Sequence, residues 1–432
     1  MRPLLLALVL IAAGCLTPGH TAPTSPTAAD ALAPIVFSAP KILDPVRSGG
    51  EPIIFETPKH TLLIAAHPGF THVKAPPGPE LLQDANGQSY LYRSTDAGKT
   101  WTVVTGPANT PRNDAWGISD PDLATNADGS KLVMVDLQAV SVATQASADD
   151  GASWPSASPM VTDPQDGSVD RPWLTFANGH FYMLYNGDGN GHWRLRQSDD
   201  GVTWTDLSTP GDGSYPGAMV AGPDGSLYVG NGDKVWASTD QGKTFASSKV
   251  PAQKPMTGIT AQRPAVDDAG TVYFAWSELH SIWYAASHDH GKTWGTPHAL
   301  TADLPGTHIW PWPAAGAPGK LVVAWVGTTQ KNDDPSAVTG DWLVHVAVVS
   351  DADTDHPVIQ GGPVAGAKVT TGGICIDGTA CEAEAKDRRL GDFITVIVDH
   401  AGLAQIAYGT TTTGHSISSP AYIVETGGPR LR

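Results

Sequence analysis

The chain has 432 residues, with 43 acidic against 26 basic side chains and a formal net charge of −17. No Lys/Arg run interrupts that acidity, so the surface repels phosphate backbones and nucleic acid is excluded as a partner. Fourteen Trp residues and a charged fraction of only 16% suit an all-β protein with extensive aromatic packing.

The chain opens with Met1-Arg2 and an apolar stretch from Leu4 to Ala13, the length of an export leader and too short to anchor across a bilayer. Ala12-Ala13-Gly14-Cys15 then sets small residues directly before a cysteine, as in a bacterial lipoprotein signal. On that pattern residues 1–15 are the leader and Cys15 is lipidated; ordinary secretion with cleavage a few residues later is the alternative. Both place the mature protein outside the cytoplasm, in the cell envelope or secreted. Residues 16–33, rich in Thr, Pro and Ala, read as a disordered tether, and residues 34–432 as one domain.

From residue 51 a single element recurs: a short strand, a turn with Asp or Asn and Gly, then an aromatic-rich strand. It appears at 51–66, 120–136, 171–185, 216–230, 263–276, 310–325 and 391–408. Asp128-Gly129, Asn178-Gly179 and Asp224-Gly225 are strong hairpin signals. Behind five of these elements stands a second phrase, Ser-x-Asp-x-Gly-x-Thr-Trp or a close variant. The closing aromatic falls at Trp101, Trp154, Trp204, Phe245 and Trp294, at intervals of 53, 50, 41 and 49 residues. That is the length of a four-stranded propeller blade. In the sixth unit "VSDADTDHP" (349–357) stands where the phrase is due, as a decayed copy. Its Asp351-x-Asp353-x-Asp355 has the opening spacing of a calcium loop. It lacks the Gly at position six and the Glu at position twelve, so a degenerate turn is favoured. The count predicts seven antiparallel four-stranded blades, with six as the alternative. Residues 34–43 supply a strand that closes the last blade, and 358–389 form an insertion holding Cys375 and Cys381, which an exported compartment lets pair.

The repeated phrase resembles the Asp-box, or BNR repeat, of the sialidase superfamily. Ser94, Asp96, Gly98, Thr100 and Trp101 match every position, as do Ser287, Asp289, Gly291, Thr293 and Trp294. The copy at 238–245 ends in Phe245, the second has Ser153 for Thr, and the third has Gln197 where Ser is expected. The resemblance implies a sialidase-like β-propeller in which Asp96, Asp149, Asp199, Asp240 and Asp289 hold rim turns away from the central pocket.

Chemistry in such a fold belongs at the starts of the inner strands, around the central channel. There the sequence offers Glu51, Asp120 and Asp122, Asp170 and Arg171, Tyr215, Gln262 and Arg263, His308 with Trp310 and Trp312, and Arg389 with Asp392. Arg forks suit a carboxylate and Trp faces suit a sugar ring. Sialidases hold their substrate's carboxylate with three Arg and use a Tyr nucleophile assisted by Glu, with an Asp acid/base. Carried over, the resemblance implies Arg171, Arg263 and Arg389 with Trp310 and Trp312 for binding, Tyr215 with Glu278 as the nucleophile pair, and Asp120 or Asp170 as the acid. The superfamily's Arg-Ile-Pro signature before the first Asp-box is absent. "DRPW" (170–173) and "RRLGDF" (388–393) look more like the exported sialidase-like group, for which the fold alone is implied. The expectation is a monomeric glycan-directed protein, needing no metal or cofactor and touching membrane only through a lipid anchor. A non-catalytic propeller binding glycan or protein is the alternative.

Overall fold

Alternation of buried and exposed positions, broken every few residues by a turn, leaves each strand pair with two faces to cover, and stacking sheets around an axis covers both. A computed structural model describes residues 33–45, 47, 49–67, 89–104, 119–138, 141–154, 169–187, 192–211, 215–257, 262–378, 380–414 and 417–432. Cys15, the leader and nearly all of the tether lie outside the described residues. The described residues form seven antiparallel sheets arranged as a seven-bladed propeller on a four-stranded plan: five blades have four strands, the second shows three among the described residues, and the last has five because two short N-terminal strands join it. Among the described residues helix is limited to one 3-10 turn (Pro335–Ala337) and a short helix (Ala380–Ala383).

The inner strands are Gly50–Glu56, Ser119–Thr125, Asp170–Ala177, Met219–Ala221, Pro264–Val266, Thr307–Ala315 and Thr395–Val398. Each pairs with the next strand through the predicted hairpin turn. In the last blade Val36–Phe37 and Lys41–Ile42 both pair with Ser419–Gly427, so the N-terminal segment closes the ring as expected. Closure removes a sheet edge that would otherwise stay open.

The repeated phrase is the turn between the third and fourth strands. Ser94 Oγ donates to Asp96 Oδ1 at 2.8 Å and accepts the Gly98 amide at 3.0 Å. Asp96 also accepts the Thr100 amide at 2.8 Å and the Thr100 hydroxyl at 2.6 Å. The same bonds recur around Asp149, Asp240 and Asp289. At Gly98, φ is +79°, a conformation only glycine adopts cheaply.

Two expectations are corrected here. In the third copy the turn is built by Ser198 and Asp200, whose carboxylate takes the Thr203 amide at 2.6 Å and the Val202 amide at 2.8 Å. This copy lacks the residue between Asp and Gly, which shifts the roles by one; Asp199 instead accepts from His180 at 2.5 Å. The second correction concerns 358–389. Val358–Thr371 is the outer strand of the sixth blade, disguised in sequence by its glycines and by two register shifts. Only the crossover after it is irregular, and there Cys375 and Cys381 form a disulfide with Cα atoms 6.0 Å apart.

Asp200→Ala strips several hydrogen bonds from its turn and should cost about 1–2 kcal/mol. Asp199→Ala should leave the melting temperature unchanged. Equal effects from the two variants in thermal unfolding would refute this assignment.

Candidate functional site

Four inner strands begin with the same irregularity. The ladder shifts register between Gly50 and Ile53, Ser119 and Asp122, Asp170 and Trp173, and Ile309 and Trp312. In each gap a residue followed by proline takes a left-handed backbone: Glu51 (φ +45°), Asp120 (+46°), Arg171 (+52°) and Trp310 (+57°). Bulges of this kind re-aim side chains. The seventh blade makes the turn with Gly391 (φ +75°), immediately before Asp392. A Cβ on Gly391 would come within 2.2 Å of Glu51 Cγ, so this glycine makes room for the glutamate.

These bulges bring charge together at one end of the channel. Asp392 Oδ2 accepts from Arg171 Nη2 at 2.5 Å and from Arg388 Nη2 at 2.9 Å, and all three side chains are buried. Glu51, Asp120, Asp170 and His67 complete the group. Burial pushes Glu51 well above the usual carboxyl range, reinforced by Asp392 and Asp120. Burial, then the neighbouring Asp120 charge, pushes Asp170 up to about 7. Burial would raise Asp120 too, but Arg171, His67 and hydrogen bonds from Asp170 and Glu51 hold it below its ordinary value. Burial drops His67 to about 4, leaving a neutral imidazole. Arg171 is raised: burial opposes its charge, and Asp392, Glu51, Asp120 and Asp170 overcome that. Burial thus favours the protonated forms of Glu51 and Asp170 beside a carboxylate, Asp120, held in its ionised form. Tyr215, 45% exposed, stands at the rim with its ring 5.9 Å from the Arg171 guanidinium.

Polar capacity remains inside this group. Arg171 Nε, Arg388 Nε and Nη1, and Asp392 Oδ1 are buried with no hydrogen-bond partner among the described residues. Such atoms in a native interior mark a place that a ligand or solvent completes.

The structure therefore joins Asp120, Asp170, Arg171 and Tyr215 and separates the rest. Arg389 forms a fork with Asp387 of its own loop, at 2.6 to 3.1 Å, and Arg388 takes the position beside Asp392. Glu278 is not partnered with Tyr215: its Oε1 accepts the Gln253 and Lys254 amides and Trp276 Nε1, at 2.9 to 3.2 Å, and pins a loop. Trp312 stacks on Phe393 (5.2 Å, 28°), with Trp173 at 5.9 Å from Phe393, and Trp173 and Trp312 line the larger channel cavity. Trp310 is buried and, with Asp392 and Phe393, lines a cavity of only about 10 Å³. Arg263 lies over Trp312 at 5.8 Å in a cavity of about 360 Å³ that it shares with Asp122, Ile53 and Met219. There Asp122 accepts the Leu174 and Leu123 amides at 2.7 and 2.8 Å, and burial pushes it up to about 7. Burial lowers Arg263, and Asp122 offsets only part of that.

His67 and Arg388 escaped the sequence reading. His67 ends an apolar strand and looks like any strand end; Arg388 and Arg389 are adjacent, and nothing local says which turns inward. Glu51, His67 and Asp120 have ligand atoms within 4.8 Å of one another, a donor set that suits a divalent cation. Arg171 and Arg388 act on the same groups, so the local charge favours shared protons over a further cation.

No family model matches the chain, and no curated protein matches it. Among solved structures, YCF48 from Cyanidioschyzon merolae is similar with a TM-score of 0.51 at 9% identity, covering 91% of this chain and 99% of that one. Virginiamycin B lyase from Staphylococcus aureus gives 0.50 at 12% identity, covering 90% and 99%. A mutant NanB sialidase from Streptococcus pneumoniae gives 0.43 at 10% identity, covering 89% and 70%. At these identities the likeness concerns the propeller fold.

Asp122 carries a proton more readily folded than unfolded, so its contribution to stability is complete below about pH 4 and is lost as pH rises through about 7. Asp122→Asn should flatten the fall in melting temperature between pH 5 and pH 8. An unchanged slope would refute a protonated Asp122.

Proposed function

We propose that the protein is a glycan-directed hydrolase acting at the channel mouth, with the Asp120–Asp170 pair as its acid/base unit and Tyr215 as the facing nucleophile. What carries this is the placement of Asp170 against Asp120 beside the buried Arg171–Asp392 pair, where burial and the Asp120 charge push Asp170 up to about 7. A carboxylic acid kept protonated near working pH is what leaving-group protonation requires. Two acids in direct hydrogen bond are too close to be the two flanking carboxylates of a common glycosidase, which sit at least about 5 Å apart. The pair therefore acts as one group, and the opposite face of the sugar falls to Tyr215, whose phenol, exposed at the rim, gives up its proton to solvent as its oxygen attacks. Arg171 and Arg388 are shared with Asp392, so an anionic substituent meets donors already balanced by a carboxylate, unlike a three-arginine clamp.

The reading includes export. A leader-like N-terminus and the Cys375–Cys381 disulfide both suit an oxidising compartment.

A second reading is binding without turnover. The aromatic cluster of Trp173, Trp312 and Phe393 favours it, because these rings offer stacking surface and no acid or base. A YCF48 structure with a TM-score of 0.51 is described as bound to a D1 peptide, an instance of a propeller that holds a protein segment.

The test is a panel of fluorogenic glycosides, anionic and neutral, with parent and Asp170→Asn protein. Asp170→Asn should lower turnover by about 10²–10⁴-fold with the melting temperature retained. Parent turnover should fall as pH rises through about 7, where Asp170 loses its proton. Turnover unaffected by the substitution would overturn the acid assignment. Glycan binding with no product from the parent would establish the second reading.

A further inference from the structure

At the opposite end of the first blade from the acid group, the turn between its two inner strands meets the corresponding turn of the seventh blade. Glu56 ends the strand Gly50–Glu56, His60 lies in the turn that follows, and His400 lies in the turn after Thr395–Val398. The two imidazole rings stack with centroids 3.6 Å apart at 27°. Both Nδ1 atoms address one carboxylate oxygen, Glu56 Oε1, His400 at 2.5 Å and His60 at 3.7 Å. The other oxygen, Oε2, accepts the His400 amide at 2.8 Å, which fixes the carboxylate's orientation.

We propose that Glu56, His60 and His400 form a binding site for a divalent late transition cation of the zinc class, clamping the first blade to the seventh. One ligand atom from each residue lies within 4.8 Å of the others. Tetrahedral zinc with bonds of about 2.0–2.1 Å sets its ligand atoms about 3.3 Å apart. The observed 2.5 and 3.7 Å straddle that value, so small side-chain rotations seat an ion. Two imidazoles and one carboxylate are the donor set this ion takes in sites that keep an open position. Both histidines are exposed, which leaves the fourth position to water and gives the ion a direct entry path.

Other histidines are engaged differently. His288 bonds the Asp353 carbonyl and His290 bonds Tyr228 Oη. His60 has only its stacking partner and the 3.7 Å approach to Glu56 among the described residues. The two turns belong to blades far apart in sequence, and the seventh blade is the one closed by N-terminal strands. An ion here binds the folded ring and not the unfolded chain, so it stabilises the seam.

The experiment uses the full chain without a histidine tag, titrated with Zn²⁺ alone by calorimetry and with Co²⁺ by visible absorption. Parent protein should bind one ion, give the intense visible bands of tetrahedral Co²⁺, and melt about 3–5 °C higher at saturating Zn²⁺. His60→Ala and His400→Ala should each abolish the bands and the shift, while the double variant of His288→Ala and His290→Ala should keep both. Absence of stoichiometric binding by the parent would overturn the proposal. So would binding that survives in His60→Ala with His400→Ala but is lost in His67→Ala, which assigns the ion to the acid group at the other mouth.

Discussion

Everything at the channel mouth depends on one buried carboxylate held between two guanidiniums. Asp392 draws Arg171 from the third blade and Arg388 from the crossover before the seventh. Four acids, Glu51, Asp120, Asp170 and Asp392, share this low-dielectric space with two guanidiniums. Two positive charges balance two carboxylates, and leaving the other two acids ionised would bury uncompensated charge at a cost of several kcal/mol each. Neutrality therefore forces protons onto Glu51 and Asp170, which is the direction both take. Asp120, ionised and hydrogen-bonded to Asp170, is the partner through which that charge count acts on Asp170.

The backbone tells the same story independently. The bulge that opens four inner strands needs a left-handed residue, and in the seventh blade glycine meets that need without strain. Glu51, Asp120, Arg171 and Trp310 meet it with large side chains, at about 1–3 kcal/mol each. A purely architectural bulge would use glycine throughout. Three of the four residues are ionisable groups of the Asp392 cluster, and the fourth lines a small cavity with Asp392. Strain and electrostatics thus converge on the same positions.

Much of this was legible in the sequence, for reasons that also explain what was not. The turn phrase is local: Asp96 bonds only residues within four positions, so spacing and residue type suffice to read it. The same locality misled in the third copy, where one missing residue moved the role from Asp199 to Asp200. Ring closure by residues 34–43 followed from counting strands. The outer strand of the sixth blade did not, because Gly361, Gly362, Pro363 and Gly366 erase the apolar alternation that marks a strand. The site was half legible. Asp120, Asp170 and Arg171 announce themselves as polar residues at strand starts before or beside proline. Which of Arg388 and Arg389 turns inward depends on the fold of a crossover stapled by a disulfide, a contact no local pattern records.

The placement of Arg263 shows why this propeller does not assemble the expected three-arginine constellation. Arg171 and Arg263 occupy equivalent spots in sequence, each before a proline at the start of an inner strand. In the third blade the bulge makes Arg171 left-handed and delivers it to Asp392. The fifth blade's inner strand begins at Pro264, and Arg263 is not among the left-handed residues. Its guanidinium lies over Trp312 instead, in the cavity shared with Asp122. Trp173 and Trp312 line that same cavity. A three-arginine clamp needs all three forks at one height along the axis. Here backbone handedness at a single residue per blade sets that height, and the three predicted arginines do not share it. The resulting mouth is a proton-sharing acid group around a neutralised pair of arginines, which leaves little net positive charge there to attract an anion.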